Sequence, residues 1–186
     1  IANESSLTFN GNSQIFTYQS IALRPENITI ELAFKSDNWY GNNPFVAQDY
    51  GVDGNQDSYL LGYNADGEYI YFESMIESDE NIIPIDLQFP ATLENGVVYH
   101  LTASYDGNQL MVYLDFNLLG QYAVSGKLAY SGFNYISFGR DYHYNDDNSE
   151  YFVGDLMNIT LYNSYTLGGC TDPEACNYDD EANVDD

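Results

Sequence analysis

Apolar and polar positions alternate with a period of two over much of the chain. Ile28, Ile30, Leu32 and Phe34 are separated by Thr29, Glu31 and Ala33, and Leu101, Ala103 and Tyr105 repeat the pattern. Successive side chains of a strand point to opposite faces, so these runs predict strands with one buried face. Further strands are predicted over residues 7–9, 15–18, 45–48, 59–63, 69–74, 110–114, 136–138 and 157–162, most of them bounded by Gly, Asn or Asp. Asp66-Gly67 and Asp106-Gly107 each separate two such runs. The Asp-Gly pair readily takes the positive φ angles of a tight turn, which predicts two antiparallel hairpins. No stretch carries a helical stripe. Many short strands without intervening helices predict an all-β fold of two antiparallel sheets sharing one core, and exclude parallel α/β architectures.

Composition strengthens this reading. Aromatic residues make up 16% of the 186 positions, with 19 Tyr and 10 Phe, and such side chains suit a pleated, half-buried surface. The length fits one main domain with an appendage. Composition shifts at Gly168-Gly169, so residues 1–167 are expected to form the sandwich and 168–186 a short acidic C-terminal tail. That tail holds seven acidic residues, no basic ones and both cysteines, Cys170 and Cys176, so the main domain does not depend on a disulfide. No run of 18 apolar residues occurs, and the chain opens on Ile1 without a basic and apolar leader. A mature or excised piece of a larger, secreted or cell-surface multidomain protein is therefore expected, without membrane insertion. Asn3, Asn27 and Asn158 stand in Asn-x-Ser/Thr sequons.

Ser6-Leu7-Thr8-Phe9-Asn10-Gly11 and residues 28–34 look like the opening strands of laminin G-like domains of the concanavalin A-like superfamily. Residues 96–107, ending Tyr105-Asp106-Gly107, resemble its "W-x-H-V/L-A-x-x-Y-D-G" hairpin, with Tyr99 at the Trp position. Residues 110–115 resemble the following "L-x-L-Y-V-D-G" strand, with Phe116 in place of its Gly, and residues 136–139 and 152–163 look like the closing strands. The likeness spans roughly residues 1–167. It implies an antiparallel jelly-roll sandwich that binds glycans or proteins, often with calcium at the rim. The segment from Gly169 to Asp186 is similar to a short acidic Cys-containing module of secreted marine and gliding bacterial proteins, here lacking its final Gly-Ser-Cys.

Charge narrows the partners. Four Lys and Arg against 29 Asp and Glu give a formal net charge of -25, a field that repels nucleic acid and anionic lipid. The same self-repulsion is relieved by calcium, which prefers carboxylate oxygens, or is simply a device for solubility. Three acidic groupings are candidate calcium ligands: Asp49, Asp53, Asn55 and Asp57; then Asp141, Asp146, Asp147 and Glu150; then Asp172, Asn177, Asp179, Asp185 and Asp186 in the tail. Asp53-x-Asn55-x-Asp57 has the 1, 3, 5 spacing of calcium loops, although Asn64 replaces the Glu of a full EF-hand loop. Each grouping equally suits a plain polar turn, loop or linker. Tyr142, His143 and Tyr144 in the second loop offer aromatic faces to a sugar ring. Trp39 with Tyr40 does the same if exposed, or else marks the edge of the core.

Catalysis is not expected. A retaining glycosidase on such a sandwich presents "E-x-D-x-x-E" with its two carboxyls about 5 Å apart. Glu77-Ser78-Asp79-Glu80 has the wrong spacing, and neither His100 nor His143 has a Ser or Cys nucleophile pattern nearby. The expected role is a non-catalytic extracellular recognition or adhesion module binding glycan or protein through rim loops, with calcium. The rival expectation is a spacer domain of a calcium-stiffened surface fibre.

Overall fold

The computed structural model describes residues 6–50, 57–79, 81–131, 135–141, 150–163, 168–169 and 184–185. In chain order the strands are β1 (Ser6–Asn10), β2 (Ile15–Phe16), β3 (Ile28–Lys35), β4 (Asn42–Asp49), β5 (Asp57–Asn64), β6 (Tyr69–Ser78), β7 (Asn81–Pro90) and β8 (Tyr99–Tyr105). They continue as β9 (Gln109–Leu114), β10 (Asn117–Ala123), β11 (Lys127–Leu128), β12 (Ser137–Phe138), β13 (Val153–Tyr162), β14 (Gly168–Gly169) and β15 (Val184–Asp185). Among the described residues the single helical element is a 3-10 turn, Ile21–Leu23, which Ser20 caps by accepting the Ala22 N–H.

Two sheets stack face to face, as the alternation predicts. One has six strands in the order β1-β13-β3-β8-β9-β10; the other has seven, β11-β6-β5-β4-β12-β2 with β7 alongside β6. All pairings within both are antiparallel. Ile28, Ile30, Leu32 and Phe34 of β3 point into the core together with Phe45, Tyr59, Leu61, Tyr63, Ile70 and Phe72 from the facing sheet. Each such buried side chain contributes roughly 1.5–3 kcal/mol of transfer free energy. β3 is central, so Thr29 on its other face is also buried, and its hydroxyl is satisfied by Ser104 at 2.7 Å.

Both Asp-Gly turns join antiparallel pairs, β5 to β6 and β8 to β9. The Tyr at the family's Trp position, Tyr99, stacks on Phe34 at 5.8 Å, and its hydroxyl accepts the Glu94 N–H at 2.8 Å. Where Phe116 replaces Gly, Asp115 and Phe116 take φ of 49° and 63°, the two left-handed positions of a hairpin turn. Phe116 is 84% exposed there and stacks on His100 at 5.6 Å.

β7, β10 and β11 are strands that the alternation does not predict. β7 carries Pro84 in its interior and Pro90 at its end, and proline, lacking an N–H, is tolerated in sheets at edges. That is its place, with β6 on one side and no described strand on the other. β14 and β15 pair in parallel, Gly168 with Val184 and Gly169 with Asp185.

Two glycines differ in what they permit. Gly154 in β13, opposite Phe9, has φ of 151°, and a Cβ there would overlap the Lys35 carbonyl oxygen and sit 2.6 Å from the Phe152 ring. Gly41 has φ of 54° with open space around it. Gly154→Ala is expected to lower Tm by about 6–12 °C and Gly41→Ala by about 2–4 °C, read by calorimetry.

Candidate functional site

The outer face of the seven-stranded sheet, away from the core, carries a second apolar cluster of Ala47, Leu60 and Tyr71. Pairing explains why these meet: Ala47 lies opposite Leu60, and Leu60 opposite Glu73, two residues along β6 from Tyr71. Gly62 makes the arrangement possible, since a Cβ there would collide with the Tyr71 hydroxyl and lie 2.7 Å from the Asn43 carbonyl oxygen. The Tyr71 ring lies across β5 in the space a side chain would fill.

Carboxylates gather around this cluster. Asp49 ends β4 and Asp57 begins β5, and the two are register partners, each 3% exposed. Asp141 is buried as well, and its N–H donates to the Glu150 carbonyl oxygen at 3.2 Å. The Glu150 carboxylate accepts from Asn42 Nδ2 at 2.5 Å, and Asn64 Nδ2 in turn donates to Asn42 Oδ1, fixing Glu150 against the start of β4 and the end of β5, the opposite end of the pair from Asp49 and Asp57. Asn64, the residue that spoils the EF-hand reading, also accepts the Gly67 N–H at 2.6 Å and so closes the β5–β6 turn.

Electrostatics reports the same gathering. Burial first, then Asp141, Asp49 and Glu73, raises the Asp57 carboxyl well above its ordinary range. Burial, followed by Asp141, Glu150, Glu73 and Asp57, raises the Tyr71 phenol likewise. Asp57 Oδ1, Ser58 Oγ and Tyr71 OH are buried with no hydrogen-bond partner among the described residues. Polar atoms buried in this way are costly unless something satisfies them. No three Asp, Glu, His or Cys side chains among the described residues converge closely enough to hold a metal ion by themselves.

The predicted site residues therefore divide. Asp49 and Asp57 are register partners and Asp141, from a separate sequence grouping, acts on Asp57, whereas Glu150 is held by Asn42 at the other end of the β4–β5 pair. Asp53, Asn55, Asp146, Asp147, Tyr142, His143 and Tyr144, which lie in the two connecting segments, fall outside the described residues, as do Asp172, Asn177, Asp179, Asp186, Cys170 and Cys176. Asp185 takes part in the β14–β15 ladder through its backbone. Trp39 sits at the edge of the core, 5.1 Å from the Tyr63 ring and 5.8 Å from Phe34, with Nε1 donating to the Glu94 carbonyl oxygen at 3.3 Å. Tyr40 beside it is 79% exposed. Tyr71, Glu73 and Asn42 belong to the site although the sequence reading passed over them. The register of the Asp66-Gly67 hairpin carries the signal, because it sets Tyr71 and Glu73 beside Gly62 and Leu60.

Asp57 holds its proton to higher pH in the folded chain than in the unfolded one, so the folded state binds more protons between the two pKa values. Its contribution to stability is full at low pH and is lost as pH rises through the folded value. In EDTA, Tm is expected to fall as pH rises from the ordinary carboxylate range toward neutrality. Asp57→Asn is expected to flatten that fall and to melt about 2–4 °C higher than wild type at neutral pH, checked by calorimetry across pH.

Residues 9–167 match the Concanavalin A-like lectin/glucanases superfamily of laminin G-like domains. Among solved structures, the CBM40 domain of the Ruminococcus gnavus IT-sialidase bound to α2,6-sialyllactose has a TM-score of 0.65 at 14% identity, covering 88% of this chain and 94% of that one. The SAP-like pentraxin of Limulus polyphemus has a TM-score of 0.63 at 13% identity, covering 88% and 78%. Domains LG4-5 of the mouse laminin alpha1 chain have a TM-score of 0.60 at 17% identity, covering 87% and 41%. No curated protein sequence matches this chain. At these identities the solved structures speak to the fold alone, and it is the fold derived above. The family match spans most of the chain and both sheets: this protein belongs to the concanavalin A-like lectin/glucanases superfamily.

Proposed function

We propose that this domain is a non-catalytic, extracellular carbohydrate-binding module whose ligand site lies on the outer face of the seven-stranded sheet and is organised by a calcium ion. The observation that carries the proposal is the pair of buried oxygens, Asp57 Oδ1 and Tyr71 OH, that have no hydrogen-bond partner among the described residues, in a region where burial and carboxylates together raise both groups. A hard divalent cation satisfies such oxygens and offsets the repulsion that Asp141, Asp49 and Glu73 exert on Asp57. Calcium takes six to eight oxygen ligands in flexible geometry, more than the described carboxylates bring to one point. In the sequence, segments 51–56 and 142–149 carry further oxygen-bearing side chains, among them Asp53, Asn55, Asp146 and Asp147.

A glycan ligand is supported by the family and by the sialyllactose held by the CBM40 domain. The superfamily name also covers glucanases, but the paired-carboxylate pattern of a glycosidase strand is absent from this sequence. Tyr40 and the Tyr142, His143 and Tyr144 run are the aromatic faces proposed to meet the sugar. A secreted or cell-surface setting follows from this role.

Calcium binding only to the folded state stabilises it by mass action, about 2.7 kcal/mol at a hundredfold excess over Kd. A saturable rise in Tm of about 5–10 °C on calcium titration from EDTA is expected, absent with magnesium and abolished by Asp57→Asn. A Tm that responds only as to general salt removes calcium from the proposal. Retention on a column of immobilised glycans in calcium, with elution by EDTA, is the matching functional readout.

A further inference from the structure

The six-stranded sheet ends on one side at β10, with no described strand beyond it. Its residues, Asn117–Ala123, include neither a charge nor a proline. A sheet edge offers unpaired backbone donors and acceptors to any passing strand, and proteins usually blunt it with proline, charge or shortness. The facing sheet does so, since β7 carries Pro84 and Asp86 and β2 is two residues long. β10 is also the longer of its own sheet's two edges, seven residues against the five of β1.

Register fixes which groups of β10 are open. Along an antiparallel pair, opposed residues alternately exchange hydrogen bonds with each other and point theirs away. Val124 N–H donates to the Asn108 carbonyl oxygen at 2.9 Å, and the same register runs on through Ala123 with Gln109, Tyr122 with Leu110 and Gln121 with Met111. The backbone of Tyr122 is therefore turned toward β9, and the N–H and C=O groups of Gln121 and Ala123, both exposed residues, are turned to the free side. A bulge at Leu119 bends the strand nearer its turn and leaves residues 120–123 regular. Apolar surface is uncovered on both faces of this edge. Leu118, opposite Tyr113 on the outer face, is 50% exposed, and Tyr122, opposite the core residue Leu110, is 43% exposed.

Charge selects what pairs there. Asp115 lies exposed in the turn that starts β10, with Oδ1 accepting the His100 N–H at 2.8 Å. Asp106 lies in the turn beside its other end, where Oδ1 accepts the N–H groups of Asn108 and Gln109, both at 2.7 Å. Lys127, beyond that end, is paired with Glu77 at 3.5 Å. An uncharged strand is thus bracketed by two carboxylates. We infer that β10 accepts a short extended segment of another polypeptide, uncharged and rich in β-branched residues through its middle, with Lys or Arg at both ends. Its backbone pairs with the open groups of Gln121 and Ala123, its side chains cover Leu118 and Tyr122, and its terminal cations meet Asp115 and Asp106. A second copy of this chain suits the edge poorly, because two chains of net charge -25 repel and β10 brings no cation of its own. The inference is independent of the glycan-binding reading, which concerns the other sheet.

The test is fluorescence anisotropy of a labelled peptide, Thr and Val alternating through its middle with a pair of Lys at each end, titrated with the whole chain at physiological salt. Saturable binding is expected. It is expected to weaken by about tenfold or more for a twin with Glu at its ends, and likewise for a twin N-methylated through its middle, which keeps the charge and loses the backbone donors. Gln121→Pro removes one open N–H from the free side of an edge strand, where proline is tolerated. That variant is expected to bind about fivefold or more weakly, with Tm within about 3 °C of wild type. Equal binding of the plain and N-methylated peptides to the wild-type chain, a comparison that does not depend on the variant folding, reduces the contact to charge and overturns the inference. Absence of saturable binding overturns it too, as does undiminished binding by folded Gln121→Pro. Sedimentation that finds a dimer dissolved by Gln121→Pro overturns the assigned occupant in favour of a second copy.

Discussion

Contact between the two sheets is what the rest of this protein depends on, and aromatic rings make most of it at one end. Phe34 of β3 lies 4.5 Å from Phe45 of β4, Phe152 lies 5.2 Å from Phe45 and 6.1 Å from Trp39, and Tyr63 and Tyr99 close the group. Tilted and edge-on contacts of this kind add about 0.5–1.5 kcal/mol per pair beyond burial. They have much to oppose, because a chain of net charge -25 repels itself throughout. The site inherits its placement from this contact. With one face of β4 and β5 pinned against the six-stranded sheet, Asp49 and Asp57 have only the other face on which to gather.

That gathering decides what the outer face is good for. A carboxyl as buried as Asp57 is poorly solvated when charged, and three further carboxylates make its ionisation harder still. Folding tolerates this where the cost is recovered on binding, and strained electrostatics of this sort is a mark of functional regions. Arg140, lying over Tyr151 and donating to Gln14, helps hold β2 and the Tyr151 bridge beside this face.

The fold was legible where alternation, turns and order agreed. β3, β8 and the Asp106-Gly107 hairpin follow from period two and from the demand of a tight turn for positive φ, while in the Asp66-Gly67 hairpin the positive φ falls on Glu68 instead of the glycine. β7 was hidden because Pro84 and Pro90 argue against a strand, an argument that fails at a sheet edge, and β10 because Gly120 interrupts its pattern. Of the site, the acidic residues were legible as types, but their convergence was not: Asp57 and Asp141 are 84 positions apart in the chain and meet only through sheet pairing. Trp39 shows the complementary limit. Its neighbours in sequence are polar, yet its neighbours in space are Phe34, Tyr63 and Phe152.

Pro84 carries one more consequence. A sheet edge is a template, and an incoming strand zips onto it by matching donor to acceptor, residue after residue. On β7 that zipper has a tooth missing at Pro84 and a charge at Asp86 two residues on. Copies of this domain crowded side by side would find no easy purchase along that edge, so the seven-stranded sheet ends where it does and keeps its open face for other encounters.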